Sequence, residues 1–417
     1  MSLKFRYGDE RLMNKIAWVE NKMKKAIGVS TDFLGDDEIK RAKDFHKSFP
    51  EYAETPLRKL DNLAEYLGLG GVYIKDESYR FGLNAFKVLG ASYAMAKYIA
   101  KCLEVDISEL DFATLQSPEI RAKLGEITFV TATDGNHGRA VAWAASQFKQ
   151  KAVVYMPKGS SQTRLQNIQA EGAEASITDL NYDEAVRLAA DNAKKFGWVV
   201  IQDTAWEGYE EIPAWIMQGY GTIAAEVLSQ LEAHNWQKPT HIFLQAGVGS
   251  FAGSIAGCFI SQLGEARPKI SVVEPDLADC IYRSAIANDG KPRIVTGDMN
   301  TIMVGLACGE PNSIGWEILR DYSESFFSCP DEVSAKGMRL LGNPLGNDSK
   351  VVSGESGAVA AGLISLLMKD EALLLARKAL GLDQNSSVLI ISTEGDTDPE
   401  KYRRIVWDGE YPVTNNI

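Results

Sequence analysis

A chain of 417 residues exceeds what one compact core organises, so two domains are expected. Its 45% hydrophobic and 24% charged content is that of an ordinary globular protein, and a formal charge of −12 with a pI near 5.0 argues against a nucleic-acid or anionic-membrane surface. The longest apolar stretch, "SGAVAAGLISLLM", stops at Lys369 and Asp370 and is too short to span a bilayer. The opening residues "MSLKFRYGDERL" lack the apolar centre of a secretory signal. Five scattered cysteines, Cys102, Cys258, Cys280, Cys308 and Cys329, form no C-x-x-C pair, so a reducing cytoplasm is the expected setting. A Cys280–Cys308 disulfide stays open. His46, His137, His234 and His241 show no H-x-x-x-H spacing, so no metal site is expected.

In chain order, "GVYIKDE" (71–77) is the first strand-like run. After it comes "RFGLNAFKVLG" (80–90), where Lys87 follows an aromatic residue at the head of an apolar helical segment. The plain reading is a lysine whose stem packs on the core while its head reaches water. The sharper reading is a reactive amine. "ITFVTAT" (127–133) then runs through "TATDGNHGRAVAWAA" (131–145) into a helix over 138–148. Asp134 and Asn136 are both good helix caps; alternatively Asn136 offers an amide to a ligand oxygen and Asp134 a carboxylate facing the ligand.

"AVVYMP" (152–157), "ASIT" (175–178), a helix over 182–197 and "WVVIQD" (198–203) continue the alternation. Asp203 ends that strand before an aromatic-rich turn, which turn initiation alone would explain. A long amphipathic helix follows, with Pro213 near its start. "HIFLQA" (241–246) leads into "LQAGVGSFAGSIAG" (244–257), where Gly247, Gly249 and Gly253 precede a small-residue helix. Such glycines let backbone N–H groups converge on an anion at a helix N-terminus, so this loop reads as a phosphate cradle or else as a simple strand-to-helix turn. No acidic residue closes the next strand at dinucleotide spacing, and no GK[ST] is present. "KISVVEP" (269–275) and "SVLIIST" (387–393) complete the pattern, the latter ending in the hydroxyls Ser392 and Thr393. The whole predicts an α/β protein of parallel sheets covered by helices, with ligands at the carboxyl ends of strands.

A lysine able to form a Schiff base, a phosphate cradle, an amide donor and a strand-end hydroxyl are together the parts that hold pyridoxal phosphate. At these residues the chain resembles a known group. "VYIKDESYRFGLNAFKVLGA", "TATDGNHGRAVA", "GSSQTRLQNIQAEGAEA" and "GESGAVAAGL" look like the threonine-dehydratase and tryptophan-synthase β group of pyridoxal-phosphate enzymes. Within it, "TDGNHGRAVAW", "QDTAWEGYEEIPAWIMQGYGTI", "QAGVGSFAG" and "STEGDTDP" resemble the diaminopropionate ammonia-lyase family, from about residue 40 onward.

The resemblance implies the fold type II architecture of two open, mostly parallel twisted sheets with helices on both faces. It implies a large domain of 1–88 with 196–417, a small domain of 89–195, and a homodimer. Lys87 would be the Schiff-base lysine and then act at the substrate α-carbon; a desolvated amine of lowered pKa suits that double duty. Asn136 would bond the cofactor's phenolic oxygen, Gly247, Val248, Gly249, Ser250 and Phe251 its phosphate, and Ser392 or Thr393 its pyridine nitrogen. Hydroxyamino-acid dehydratases usually carry a serine-type residue where this chain has Asp134. With Asp203, that carboxylate would pair with a second substrate ammonium. Lys87 and Asp134 would then serve opposite faces and opposite enantiomers of 2,3-diaminopropionate. Glu355 in "SGESGA" would begin a helix near the cofactor, or simply favour the helix dipole. The rivals are a serine or threonine dehydratase, a β-replacement enzyme, and a non-catalytic phosphate- or nucleotide-binding protein that leaves Lys87 unexplained.

Overall fold

A computed structural model describes residues 15–133 and 135–413. It contains eleven strands: β1 (Ala17–Glu20), β2 (Leu57–Lys59), β3 (Gly71–Asp76), β4 (Thr128–Ala132), β5 (Lys151–Met156), β6 (Glu174–Ile177), β7 (Val199–Val200), β8 (His241–Gln245), β9 (Lys269–Pro275), β10 (Ser325–Cys329) and β11 (Ser387–Ser392). They form a seven-stranded sheet of order β1-β10-β9-β8-β11-β3-β2 and a four-stranded sheet of order β6-β5-β4-β7. Every pairing is parallel except those of the two edge strands, β1 on β10 and β2 on β3. The half-buried Arg58 and Lys59 on β2 blunt one edge of the large sheet against further pairing.

The central strands are buried on both faces, as parallel strands under helices must be. Side chains alternate between two hydrophobic clusters. Val72, Ile74, Phe243, Val388 and Ile390 enter one; Tyr73, Ile242, Leu244, Leu389 and Ile391 enter the other. This is the period of two that a strand dictates.

One helix governs the site's position. Glu211–Ala233 packs against the helices Asp36–Lys47, Val88–Leu103 and Ser250–Leu263. At Gly219 a Cβ would lie 2.3 Å from the Leu89 carbonyl oxygen, so only glycine permits this approach to the helix that starts beside Lys87. The same long helix supplies Glu226, which accepts from Lys75 at 2.6 Å and from Arg80 at 2.8 Å in the interior. Arg80 also pairs with Glu77 at 2.8 Å. This charge network is fully buried, and it anchors the chain between β3 and Lys87. Among the described residues no helix is long and apolar enough to cross a membrane, and no cluster of side chains is suited to hold a metal ion.

Candidate active site

A cavity lies where the carboxyl ends of β8 and β11 in the large sheet face those of β4 and β7 in the small one. Lys87 occupies the N-cap position of the helix Val88–Leu103. The preceding Phe86 N–H donates to the Thr393 carbonyl at 3.1 Å, which ties this segment to the end of β11. A cation at a helix N-terminus opposes the helix dipole. The structure answers with the buried Asp203 carboxylate, hydrogen-bonded to Lys87 Nζ. Burial opposes the charge on Lys87, but Asp203 outweighs it and holds the ammonium above its ordinary range. Burial likewise pushes Asp203 up, and Lys87 with His137 overrides this to bring it to about 2. The amine of lowered pKa expected from the sequence is therefore corrected: its buried counter-ion reverses the effect of desolvation.

The loops around this pair are tied together. Ser250 Oγ donates to the Asp203 carbonyl, and Asn312 Nδ2 donates both to that carbonyl and to Ser250 Oγ, each at 2.8 Å. Gly249, with φ of +93°, is the N-cap of the helix Ser250–Leu263, and its left-handed backbone turns the first N–H groups of that helix toward the cavity. Gln245, at the end of β8, donates from Nε2 to the Ile391 carbonyl at 2.8 Å and to Thr393 Oγ1 at 2.9 Å. Asn136 Nδ2 donates to Glu394 Oε2 at 2.5 Å.

Lys87, Asn136, Asp203, Gly247, Val248, Gly249, Ser250, Phe251 and Thr393 thus converge on one cavity from five separate stretches of chain. Two candidates do not line it. Ser392 Oγ donates instead to Ser353 Oγ at 2.8 Å. Glu355, buried at the start of its helix, pairs with Lys401 at 3.3 Å. Both face away because successive residues on a strand, or around a first helical turn, point in different directions. Asp134 lies outside the described residues. The Cys280–Cys308 disulfide is not formed; the Cys280 thiol donates to the Gly247 carbonyl at 3.6 Å.

Among the site residues that escaped the sequence reading are His137, Gln245, Asn312 and Glu394. Three stood inside quoted motifs, as the histidine of "GNHG", the glutamine of "LQAG" and the glutamate of "STEG". Asn312 carried no signal, since the fold alone brings it to Asp203 across 109 residues. The residues fit a pyridoxal phosphate. An amine and a glycine-rich helix N-terminus share the cavity, and the buried Gln245 Oε1 and Ser356 Oγ, on residues that line it, have no hydrogen-bond partner.

Residues 49–393 match the family model described as pyridoxal-phosphate dependent enzyme. The chain is 55% identical over 387 residues to the diaminopropionate ammonia-lyase of Salmonella typhimurium strain LT2, covering 93% of this chain and 96% of that one. It superposes on the crystal structure of Escherichia coli diaminopropionate ammonia-lyase in complex with D-serine with a TM-score of 0.89 at 46% identity, over 96% of this chain and 99% of that one. The E. coli enzyme in complex with an aminoacrylate-PLP azomethine reaction intermediate superposes with a TM-score of 0.88, at the same identity and coverage. The chain belongs to the pyridoxal-phosphate dependent enzymes and, within them, to the diaminopropionate ammonia-lyase family.

Proposed function

We propose that this chain catalyses α,β-elimination of D- and L-2,3-diaminopropionate. The β-carbon–nitrogen bond breaks and ammonia leaves with its electron pair. The released 2-aminoacrylate takes up water to give pyruvate and a second ammonia. When bound, pyridoxal phosphate supplies an electron sink for the pair left at the α-carbon. Lys87 would hold it covalently and then move the proton at that carbon. The N–H groups from Gly247 to Phe251 would hold its phosphate, and Asn136 its phenolic oxygen. Thr393 is the better of the two strand-end hydroxyls for the pyridine nitrogen, because its oxygen already accepts from Gln245 and leaves its proton to donate.

The observation that carries the substrate assignment is the Lys87–Asp203 ion pair. Once Lys87 gives up its charge in binding the cofactor, Asp203 is a buried carboxylate that needs a cation. The second ammonium of diaminopropionate meets that need, and the hydroxyl of serine or threonine does not. Asp134 would act on the α-proton from the face opposite Lys87, which accounts for both enantiomers. The reading includes a cytoplasmic homodimer with a large lobe of 1–88 and 196–417 and a small lobe of 89–195. The seven-stranded sheet supports the large lobe and β4 to β6 the small one, while β7 (Val199–Val200), on the large-lobe side of the boundary, pairs with β4 in the small sheet.

The test is pyruvate release by the purified holoenzyme from D- and L-diaminopropionate, with serine and threonine alongside. Both diaminopropionate enantiomers are expected to react faster than either hydroxyamino acid. Lys87→Ala should abolish turnover together with the visible absorbance of the lysine-bound cofactor. No pyruvate from either enantiomer would overturn the proposal.

A further inference from the structure

We infer that His137 is a specificity residue whose Nδ1 accepts a hydrogen bond from the side-chain ammonium of a diamino-acid substrate, opposite the Asp203 carboxylate. The inference rests on the elimination reaction proposed above. His137 is the second residue of the helix Asn136–Gln147 and is only 4% exposed. Its Nε2 lies 2.8 Å from the Ile201 carbonyl oxygen. A carbonyl can only accept, so Nε2 carries the proton and Nδ1 carries the lone pair. That Nδ1 is buried and has no hydrogen-bond partner, although the ring lines the cavity with Lys87 and Asp203.

A buried acceptor without a donor is a standing cost to the protein. Such atoms are retained where something else completes them. Burial keeps the ring neutral by lowering its pKa, so the acceptor persists at neutral pH. The donor must enter the cavity, and it must tolerate a carboxylate close by. An ammonium satisfies both conditions. It can give one N–H to Asp203 and another to His137, whereas a hydroxyl has a single proton and can serve only one of them.

The plain alternative is that the ring exists only to satisfy the Ile201 carbonyl. Two substitutions separate the roles, because the two side-chain amides reach different ring positions. His137→Asn keeps an acceptor near the Nδ1 position and loses the bond to Ile201. His137→Gln reaches the Nε2 position, keeps a donor for Ile201 and vacates Nδ1.

The experiment measures KM and kcat on each holoenzyme with L-diaminopropionate and with L-serine, alongside the visible absorbance of the bound cofactor. His137→Gln should retain the absorbance and lose about tenfold or more in kcat/KM for diaminopropionate, mostly through KM, as expected for loss of one charge-assisted hydrogen bond. The loss on serine should be smaller than the loss on diaminopropionate, and His137→Asn should lose less than His137→Gln on diaminopropionate. The reverse ranking, with the Asn variant damaged and the Gln variant intact, would assign the ring to Ile201 and overturn the inference. Equal losses on serine would remove the side-chain ammonium as its target. Loss of the cofactor absorbance in both variants would make the ring a packing element, which equally overturns it. An active wild-type enzyme with an unaffected Gln variant leaves the elimination reaction standing and removes only His137. A wild type that releases no pyruvate removes the reaction itself.

Discussion

Lys87 shows how far a single residue can be read. Its place between an aromatic residue and an apolar helix favoured a packed lysine over a reactive amine, and only together with the glycine loop and Asn136 did it point to a cofactor. Its electrostatic state was not legible, because that depends on Asp203, 116 residues away, and on the helix dipole behind it. Asp203 is in turn held by its backbone. Asn312 Nδ2 satisfies its carbonyl and the Ser250 hydroxyl, while Asn312 Oδ1 accepts the Gly315 N–H at 2.8 Å and caps the helix Ser313–Tyr322. One amide therefore joins the backbone of Asp203 to the glycine-rich loop at Ser250. Asn312→Ala leaves a buried carbonyl and hydroxyl short of a donor and removes a cap, for an expected loss of about 2 kcal/mol in stability. It should also weaken pyridoxal phosphate binding by about tenfold, equivalent to about 1.4 kcal/mol. Asn312→Asp should bind the cofactor more weakly still, since it replaces the donor by a negative charge beside the cradle. Titration of apoenzyme with cofactor, followed by absorbance, measures both. An Asp variant that binds as tightly as wild type would refute this account of Asn312.

At the scale of elements, the strands rich in β-branched residues were readable and the others were not. Each of the eight predicted runs overlaps one of the strands β3 to β9 and β11; the run 269–275 matches β9 at both ends, and the others differ by one residue or more. β10, "SFFSC", is a fully buried strand without a single β-branched residue, parallel to β9 and antiparallel to β1, so nothing in its composition announced it. β1 and β2 are short antiparallel edges, "AWVE" and "LRK", whose pairing is set by the sheet they close. The helix over 211–231 was legible from its amphipathic pattern. Its close contact with the helix Val88–Leu103 was not, because it depends on where Gly219 meets Leu89 in space. That contact fixes where Lys87 emerges. Gly219→Ala places a methyl 2.3 Å from the Leu89 carbonyl oxygen and 2.9 Å from Gly90 Cα, so the two helices must part. The expected cost is about 1–3 kcal/mol in stability. The displaced lysine should lower kcat more than it raises KM, since the binding loops belong to other elements. Steady-state kinetics with a denaturant melt would check this, and an alanine variant with unchanged stability and kcat would refute it.

At the scale of the whole molecule, parallel sheets under helices were legible from the alternation of strands and helices and their number from the family resemblance, whereas the junctions where helices pack on one another were not. His46 sits at such a junction. It belongs to the helix Asp36–Lys47, and its ring meets Thr222 Oγ1 of the long helix at 2.8 Å and the Leu89 carbonyl at 3.0 Å. Burial, aided by the Arg80 guanidinium, depresses its pKa from the ordinary 6.5 to about 3. The native state therefore holds this ring neutral, while the unfolded chain protonates it once the pH falls below 6.5. Protons then bind the unfolded state preferentially, so stability is full above that value and declines as the pH drops toward 3. Each pH unit in this window costs up to about 1.4 kcal/mol through this one side chain. His46→Gln keeps hydrogen-bonding capacity without a titrating group. It should be less stable than wild type at pH 7.5, where the native ring contacts are intact, and the gap should narrow steadily between pH 6.5 and 4. Urea unfolding of both proteins at matched pH values isolates the contribution, because the carboxylates that also titrate are common to the two. A gap that stays constant with pH would mean that the ring is accessible to protons in the native state, and that the junction of the three helices opens without unfolding.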